Sequence, residues 1–432
     1  MKILLYGLNF APEPTGIGKY SGEMAAWLAA AGHEVRVIAA PPYYPAWKKQ
    51  QSDAAGPDGS ERWQGVRIWR APLWVPSRPT GAKRVVHLLS FAIGSLPALL
   101  RQLFWKPDAV MVVVPALAAA PAGWLAARLC GAKAWLHVQD FEIDAAFRMG
   151  LLKGRLAQRI VGRFERWTLR RFDRVSTISQ RMLELLRAKG VDADRVVSFP
   201  NWVDISAIMP TNRISPYRAE LGIADDAVVA LYSGSMVGKQ GLELLPLAAR
   251  ALAERLPGLV FVLCGEGVYR PSLERDCASL ANVRMLPLQP SQRLGELLGM
   301  ADVHLLTQHA QAADLVMPSK LTGMLSSGRP VLATAQPGTE LANVVQGRGR
   351  VVPPNDLQAF TAALIELAES PALRQHCGAA ARRYAEEHLA RDRILVDFER
   401  ELRLCVGRTC VPPVECAIAS PPSATDDQAT IT

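Results

Sequence analysis

The chain has 432 residues, 50% of them apolar and 21% charged, with a net charge of +9. That is enough apolar chain for a full core and enough length for two domains, which excludes a disordered chain or a disulfide-stapled miniprotein. Charge divides unevenly: residues 1–205 hold 28 Lys+Arg against 16 Asp+Glu and the remainder 21 against 24, so attraction to anions belongs to the first half.

The apolar run "KILLYGL" predicts a strand, followed by a glycine loop, a helix around residues 18–31 and a second strand, "EVRVIAA". A dinucleotide fingerprint needs three glycines in that first turn and an acid after the second strand. Here Gly16 and Gly18 are followed by Ser21, and the second strand runs into "APPYYP" without an acid, so the NAD reading fails twice. Two readings remain for the loop: backbone N–H groups that face an anion, or a turn that needs glycine for steric reasons. Glu13, just before it, is either an acid that reaches a substrate or a solvated loop residue.

Residues 41–82 form a loop rich in Pro, Tyr, Trp and Gly. The run "VVHLLSFAIGSLPALL", 85–100, is flanked by Lys83, Arg84 and Arg101 and fits equally a helix lying on a membrane surface or a core helix. Residues 109–127 are uncharged over 19 positions, yet Pro115, Pro121 and the "AVMVVV" start predict a buried strand and then a buried helix, not a membrane span. In "AWLHVQD" the strand period puts His137 and Gln139 on one face and Asp140 near the end. His137 and Asp140 are candidate reaction-centre residues, a packed histidine being the alternative.

Arg155, Arg159, Arg163, Arg166 and Arg170 then recur at steps of four, four, three and four, with Leu156, Ile160, Phe164 and Trp167 in an adjoining apolar stripe. This predicts a helix face for an anionic membrane surface or a lipid-diphosphate acceptor. Nucleic acid is disfavoured, because no nucleic-acid module is recognisable. After "RVSTIS" and "RVVSFPNWVD" the alternation restarts with "VVALYSGSM", "GLVFVLCGEG", "VRMLPL", "DVHLLTQ" and "RPVLATA". Two such series predict two Rossmann-like α/β domains with parallel sheets facing across a cleft, where ligands meet the carboxyl ends of the strands. The expected division is 1–205, 206–375, a helical segment 376–407 packing back toward the first domain, and a Pro/Ser/Thr-rich tail, 408–432, without periodicity and expected to be disordered. The seven cysteines include no CxxC pair, so neither a zinc ribbon nor a disulfide framework is expected, and a reducing compartment fits. The N-terminus lacks the cleavage pattern of a signal peptide.

The segments "TGIGKYSGEMAAWLAAAGHEVRVIA", "RVSTISQRMLELLRAKGVDADRVVSFPNWVD", "LYSGSMVGKQGLELL" and "DLVMPSKLTGMLSSGRPVLATAQPGTEL" resemble, in order, family 4 retaining glycosyltransferases of the GT-B fold. The likeness runs over roughly residues 2–400 and looks closest to the colanic acid fucosyltransferase group. The resemblance implies transfer of a sugar from a GDP- or UDP-linked donor to a lipid-linked saccharide in exopolysaccharide synthesis, without a metal or other cofactor, at the inner face of the cytoplasmic membrane. It implies donor contacts at Gly16 and Gly18, at Gly234, Ser235, Lys239 and Gln240, at Gly265, Glu266 and Gly267, and at Ser319, Lys320 and Thr322. Asp314 would hold sugar hydroxyls. The family's usual Arg and Lys of the first donor loop align with Ser235 and Gln240, and its two glutamates align with Asp314 and Thr322. These departures keep a catalytically weak, nucleotide-binding assembly subunit open as an alternative. A nucleotide-sugar 2-epimerase is the other. The resemblance also implies front-face transfer, in which the leaving phosphate helps take the acceptor proton.

Overall fold

The computed structural model describes residues 1–13, 16–44, 47–49, 56, 59–77, 81–141, 155–211, 213–310 and 317–407. The first lobe holds β1 (Lys2–Gly7), β2 (Glu34–Ala39), β3 (Glu61–Trp63), β4 (Val66–Arg70), β5 (Ala109–Val114), β6 (Lys133–Val138), β7 (Arg174–Thr177) and β8 (Val196–Ser198). Their order is β3-β4-β2-β1-β5-β6-β7-β8, parallel except for the β3–β4 hairpin. All six residues of β5 are buried, because a strand between two parallel neighbours is covered on both faces. The two covering layers are separate: Leu4, Tyr6 and Val112 face one core, and Ile3, Leu5 and Met111 face the other.

The helices that frame the cleft and the outer surface are α1 (Gly16–Ala30), α2 (Gly81–Gly94), α3 (Leu96–Leu103), α4 (Ala120–Cys130), α5 (Arg155–Leu169) and α6 (Gln180–Ala188). The uncharged stretch 109–127 therefore divides into a buried strand and the start of α4, and the 85–100 stretch becomes α2 and α3, broken at Ser95.

The second lobe holds β9 (Val228–Ser233), β10 (Leu259–Cys264), β11 (Val283–Leu286), β12 (Val303–Leu306), β13 (Val331–Thr334) and β14 (Gly349–Val352), in the order β11-β10-β9-β12-β13-β14 and all parallel. Its helices α7 (Lys320–Ser326) and α8 (Glu340–Val345) start at the cleft, and α9 (Pro371–His388) buries Ala381 and Ala385 in the second lobe's core. The chain crosses back only at 389–391, where Val203 and Ala390 pair in parallel, and α10 (Arg391–Val406) then packs on the first lobe. The expected crossover at residue 376 is thus corrected: Gly328 leaves only glycine-sized room beside Gly378, so α9 stays pressed to the turn after α7.

Phe398 of α10 stacks on Phe199 with 4.2 Å between centroids and meets Trp135 edge-on at 5.3 Å. Truncation there leaves a cavity under β6. Phe398→Ala is expected to cost about 3–5 kcal/mol, read as a lowered urea midpoint; a change below about 1 kcal/mol would mean α10 is not part of the first lobe's folding unit.

Candidate active site

The carboxyl ends of both sheets meet at a gap with a cavity of about 320 Å³. On the first-lobe side it is lined by Gly16, Lys19, Tyr20, Tyr44 and Asp140, and on the second-lobe side by Gly234, Ser235, Gln240, Ser319, Lys320 and Thr322. An adjoining recess of about 210 Å³ continues from Ser319 and Asn201 to Glu340 and Tyr384. The lobes are tied behind it. Glu340 of α8 accepts hydrogen bonds from the backbone N–H groups of Gln180 and Arg181, each 2.9 Å, and so caps α6 from across the gap. Arg391 pairs with Asp204 at 2.8 Å beside the crossover.

The second-lobe wall is organised around Lys320. Its Nζ donates to Gln240 Oε1 at 3.1 Å and lies 4.0 Å from the Tyr232 ring centroid, a cation–π distance. Gly234, at φ 145°, makes this possible: a Cβ there would sit 3.1 Å from Lys320 Cδ. Tyr232 is itself fixed by donating its hydroxyl to Ser235 O at 2.7 Å. The side chain of Thr322 donates to Ser319 O at 2.9 Å and also meets the Tyr20 hydroxyl of the first lobe. Burial raises the Tyr20 pKa, so that hydroxyl stays protonated at the lobe interface. Asn201 Oδ1, on the cleft floor, is buried and accepts no hydrogen bond from the described residues.

Several sequence-based expectations are corrected. His137 is 2% exposed and does not line the cleft. Gln139 donates its amide to Nε2 at 2.8 Å, which leaves Nδ1 to donate to Ser176 Oγ at 2.9 Å; burial holds the imidazole down to about 3. Asp140, next along the strand, does reach the cleft. A Cβ at Gly18 would fall 2.5 Å from the Glu13 carboxylate, which accounts for glycine there by a close approach inside the protein. Glu13 is no solvated acid either: it is 4% exposed and accepts from Asn9 Nδ2 and from the N–H groups of Tyr43 and Tyr44, which sets Tyr44 at the cleft wall. Gly265 and Gly267 abut the backbone carbonyls of Gly234 and Met236, and Glu266 turns outward to Arg270. The "GEG" turn buttresses the Gly234–Met236 loop from behind and does not line the cleft.

Asp314, the side chains of Lys239 and Arg155, and the tail 408–432 lie outside the described residues. Arg159, Arg163 and Arg166 are exposed on α5 as expected, whereas Arg170 bends back to donate to Lys189 O at 3.3 Å and leaves the stripe. Among the described residues, no cluster of three or more His, Cys, Asp or Glu could hold a metal. Tyr20, Tyr44 and Asn201 line the cleft, Asn201 within the "PNWVD" segment already marked by the sequence, whereas Tyr232 is fully buried behind Lys320.

Two parallel α/β lobes facing across a cleft lined by their strand ends define the GT-B arrangement of glycosyltransferases. The fold agrees with sucrose-phosphate synthase from Thermosynechococcus elongatus (TM-score 0.74, 16% identity, 94% of this chain and all of that one). It also agrees with Anabaena HepE in complex with UDP-glucose (TM-score 0.68, 14% identity, 94% of this chain and all of that one). Residues 15–202 match the glycosyl transferase 4-like domain and residues 214–384 the glycosyl transferases group 1 domain. The chain is 41% identical, over 93% of its length and the whole of the relative, to a protein of Escherichia coli (strain K12) named as a colanic acid biosynthesis glycosyl transferase, WcaI. The chain belongs to this family of glycosyltransferases.

His137 and His304 are both fully buried, and burial holds each imidazole down to about 3 against an ordinary 6.5. In the unfolded chain they protonate near 6.5, so their contribution to stability is complete above that pH and is lost progressively as pH falls toward 3. The loss is about 1.4 kcal/mol per pH unit for each group. Urea unfolding from about pH 7 to about pH 5 should show this slope, and His137→Gln should make it shallower without reshaping the pH profile of transfer. A reshaped profile would return His137 to the reaction.

Proposed function

We propose that the cleft binds a GDP- or UDP-linked sugar, fucose being the first candidate, and transfers the sugar to a lipid-linked saccharide during exopolysaccharide synthesis. The observation that carries this reading is Lys320, whose Nζ is held at the second-lobe wall between Gln240 and Tyr232 over Gly234. A diphosphate leaving group needs a fixed positive charge and hydroxyl donors at the point where charge develops. Lys320 supplies the charge, Ser235 and Ser319 the hydroxyls, and Asp140 faces them from the first lobe. Similarity to the Escherichia coli colanic acid enzyme supports the pathway, and the UDP-glucose carried by HepE supports the donor class.

In this reading no metal or other cofactor takes part. Asp140 orients the acceptor hydroxyl, and the departing phosphate, held by Lys320, takes its proton on the face where the donor bond breaks, so configuration is retained. Catalysis is orientation plus charge stabilisation. The enzyme works at the cytosolic face of the membrane, where the basic stripe of α5 meets anionic headgroups; the described cysteines are all free thiols, which suits that compartment.

A thermal-shift screen against GDP, UDP and their sugars should give one preferred nucleotide that raises the midpoint. Lys320→Met should weaken that nucleotide by about tenfold or more, the loss of one charge-assisted contact, with the apo midpoint nearly unchanged. Equal affinity would remove Lys320 from the donor site. Binding without turnover, when a labelled donor and a membrane extract are supplied, would favour the assembly-subunit reading. Replacing Arg159, Arg163 and Arg166 with Gln should release the protein from anionic vesicles at low salt, and undiminished binding would defeat the electrostatic role of α5.

A further inference from the structure

The α2–α3 pair is amphipathic the wrong way round for a water-facing helix. Its inward face buries His87, Phe91, Ser95, Leu99 and Gln102, with Leu88, Ala92, Ala98 and Leu103 half-buried against the same core, so three of its five fully buried members are polar. Each polar member is tied to the lobe. His87 Nδ1 donates to Trp74 O at 2.7 Å, Ser95 Oγ meets the Tyr6 hydroxyl at 2.6 Å, and Gln102 Oε1 accepts from Arg36 at 3.1 Å. The outward stripe is Val86, Leu89, Ile93, Leu96, Leu100 and Phe104, of which Ile93 is 69% and Phe104 91% exposed. The same face continues over Leu125 and Leu129 of α4, and through the Trp124–Trp167 contact to Leu156 and Ile160 of α5, all exposed. Scattered exposed apolar residues need no explanation, but a contiguous patch across four helices does.

The segment 83–103 is long and apolar enough to cross a membrane. It does not do so in this fold: crossing would break the bonds to Tyr6 and Arg36 and pull Phe91 from the core, and Gly94 packs so closely on Pro72 that a Cβ would lie 2.5 Å from its carbonyl oxygen. The helices lie flat on the lobe with the apolar stripe outward.

Charge selects what covers it. From Arg62 to Gln139 the sequence has ten Lys+Arg and a single acid, Asp108. That acid is engaged by the backbone N–H of Lys2 at 2.7 Å. Arg70 is engaged by Glu61 and Arg128 by Asp173, and a two-fold pairing of this face with a second copy would still set Lys83 and Arg101 of one copy against those of the other. An anionic bilayer offers both complements, acyl chains for the stripe and phosphate headgroups for Lys83, Arg84, Arg101 and Arg128 at its margins. We propose that α2–α3 is an interfacial anchor: its outward stripe, led by Ile93, Leu100 and Phe104, inserts among the acyl chains of an anionic membrane and lays the first lobe on its surface. This deepens, and rests on, the reading that the acceptor is carried in a bilayer. It assigns the hold to apolar insertion, with the α5 arginines adding the salt-sensitive part.

The test is co-sedimentation of the full chain with vesicles of phosphatidylethanolamine and phosphatidylglycerol, at low salt and at about 1 M salt, where exposed charges are screened. The parent protein should stay bound at high salt. The triple variant Ile93→Ser, Leu100→Ser, Phe104→Ser should lose that salt-resistant partition by at least about tenfold, while the arginine variant of α5 keeps it. All three substituted side chains point outward, so circular dichroism and the thermal midpoint should not change. Salt-resistant binding that survives the triple substitution would overturn the proposal, and so would a dimer of the parent that the substitutions convert to monomer by light scattering. Transfer to a water-soluble acceptor analogue separates the two readings. Activity there with vesicle binding lost supports the anchor; activity with vesicle binding intact in the triple variant sinks the anchor and spares the function. Absence of transfer by either protein sinks the function while the vesicle result still judges the anchor.

Discussion

Both sheets are covered on both faces, and that constraint governs everything else. A parallel ladder satisfies its own backbone groups and presents apolar side chains to the helices above and below it, so polar side chains that can meet a ligand are displaced to the strand ends. In this chain the carboxyl ends of the two sheets open on one gap, and the tie behind it, Glu340 on the start of α6, holds that orientation. The single return of the chain at 389–391 makes α10 part of the first lobe's core, so the two lobes are not independent beads on a linker.

Within the gap, positive charge sits on an unusual element. The loop after β9 presents the uncharged Ser235 and Gln240, and a cation arrives from α7, lying across Gly234 with its Nζ on Gln240. The glycine at φ 145° and the lysine are one device, since a side chain at Gly234 would displace Lys320. The Thr322 hydroxyl is likewise occupied, donating to Ser319 O and meeting Tyr20 across the lobes.

The architecture was legible because it is written in periodicity: "AVMVVV" and "RPVLATA" are apolar runs of strand length between helical segments, and each forms a strand. The site was legible only where a motif also carries its geometry, as with Gly234 and "PSK". At Gly18, Gly265 and Gly267 both readings stayed open in the sequence, because a sequence does not distinguish a glycine that admits a ligand from one that admits a neighbouring carbonyl or carboxylate. His137 stayed ambiguous and Glu13 fits neither of its two readings for a related reason. Whether an ionisable side chain is solvated or locked in the core depends on residues far along the chain, Ser176 for one and Tyr43 for the other. Tyr44 carries no motif and reaches the cleft only through the fold.

The outer surface of the first lobe follows a logic different from that of the cleft. Its apolar stripe was visible in the sequence, but which side of the helix faced inward was not. The burial of Phe91 and Leu99 and the polar contacts of His87, Ser95 and Gln102 show that Ile93, Leu100 and Phe104 point away from the core. Still, the account stands or falls with the cleft. Hydrogen exchange in the presence of the preferred nucleoside diphosphate tests it most directly. Slowed exchange should appear together on both walls, in 16–20 of the first lobe and in 233–240 and 318–326 of the second. Protection confined to one lobe, or lying away from the gap, would contradict a donor site built by the two lobes together.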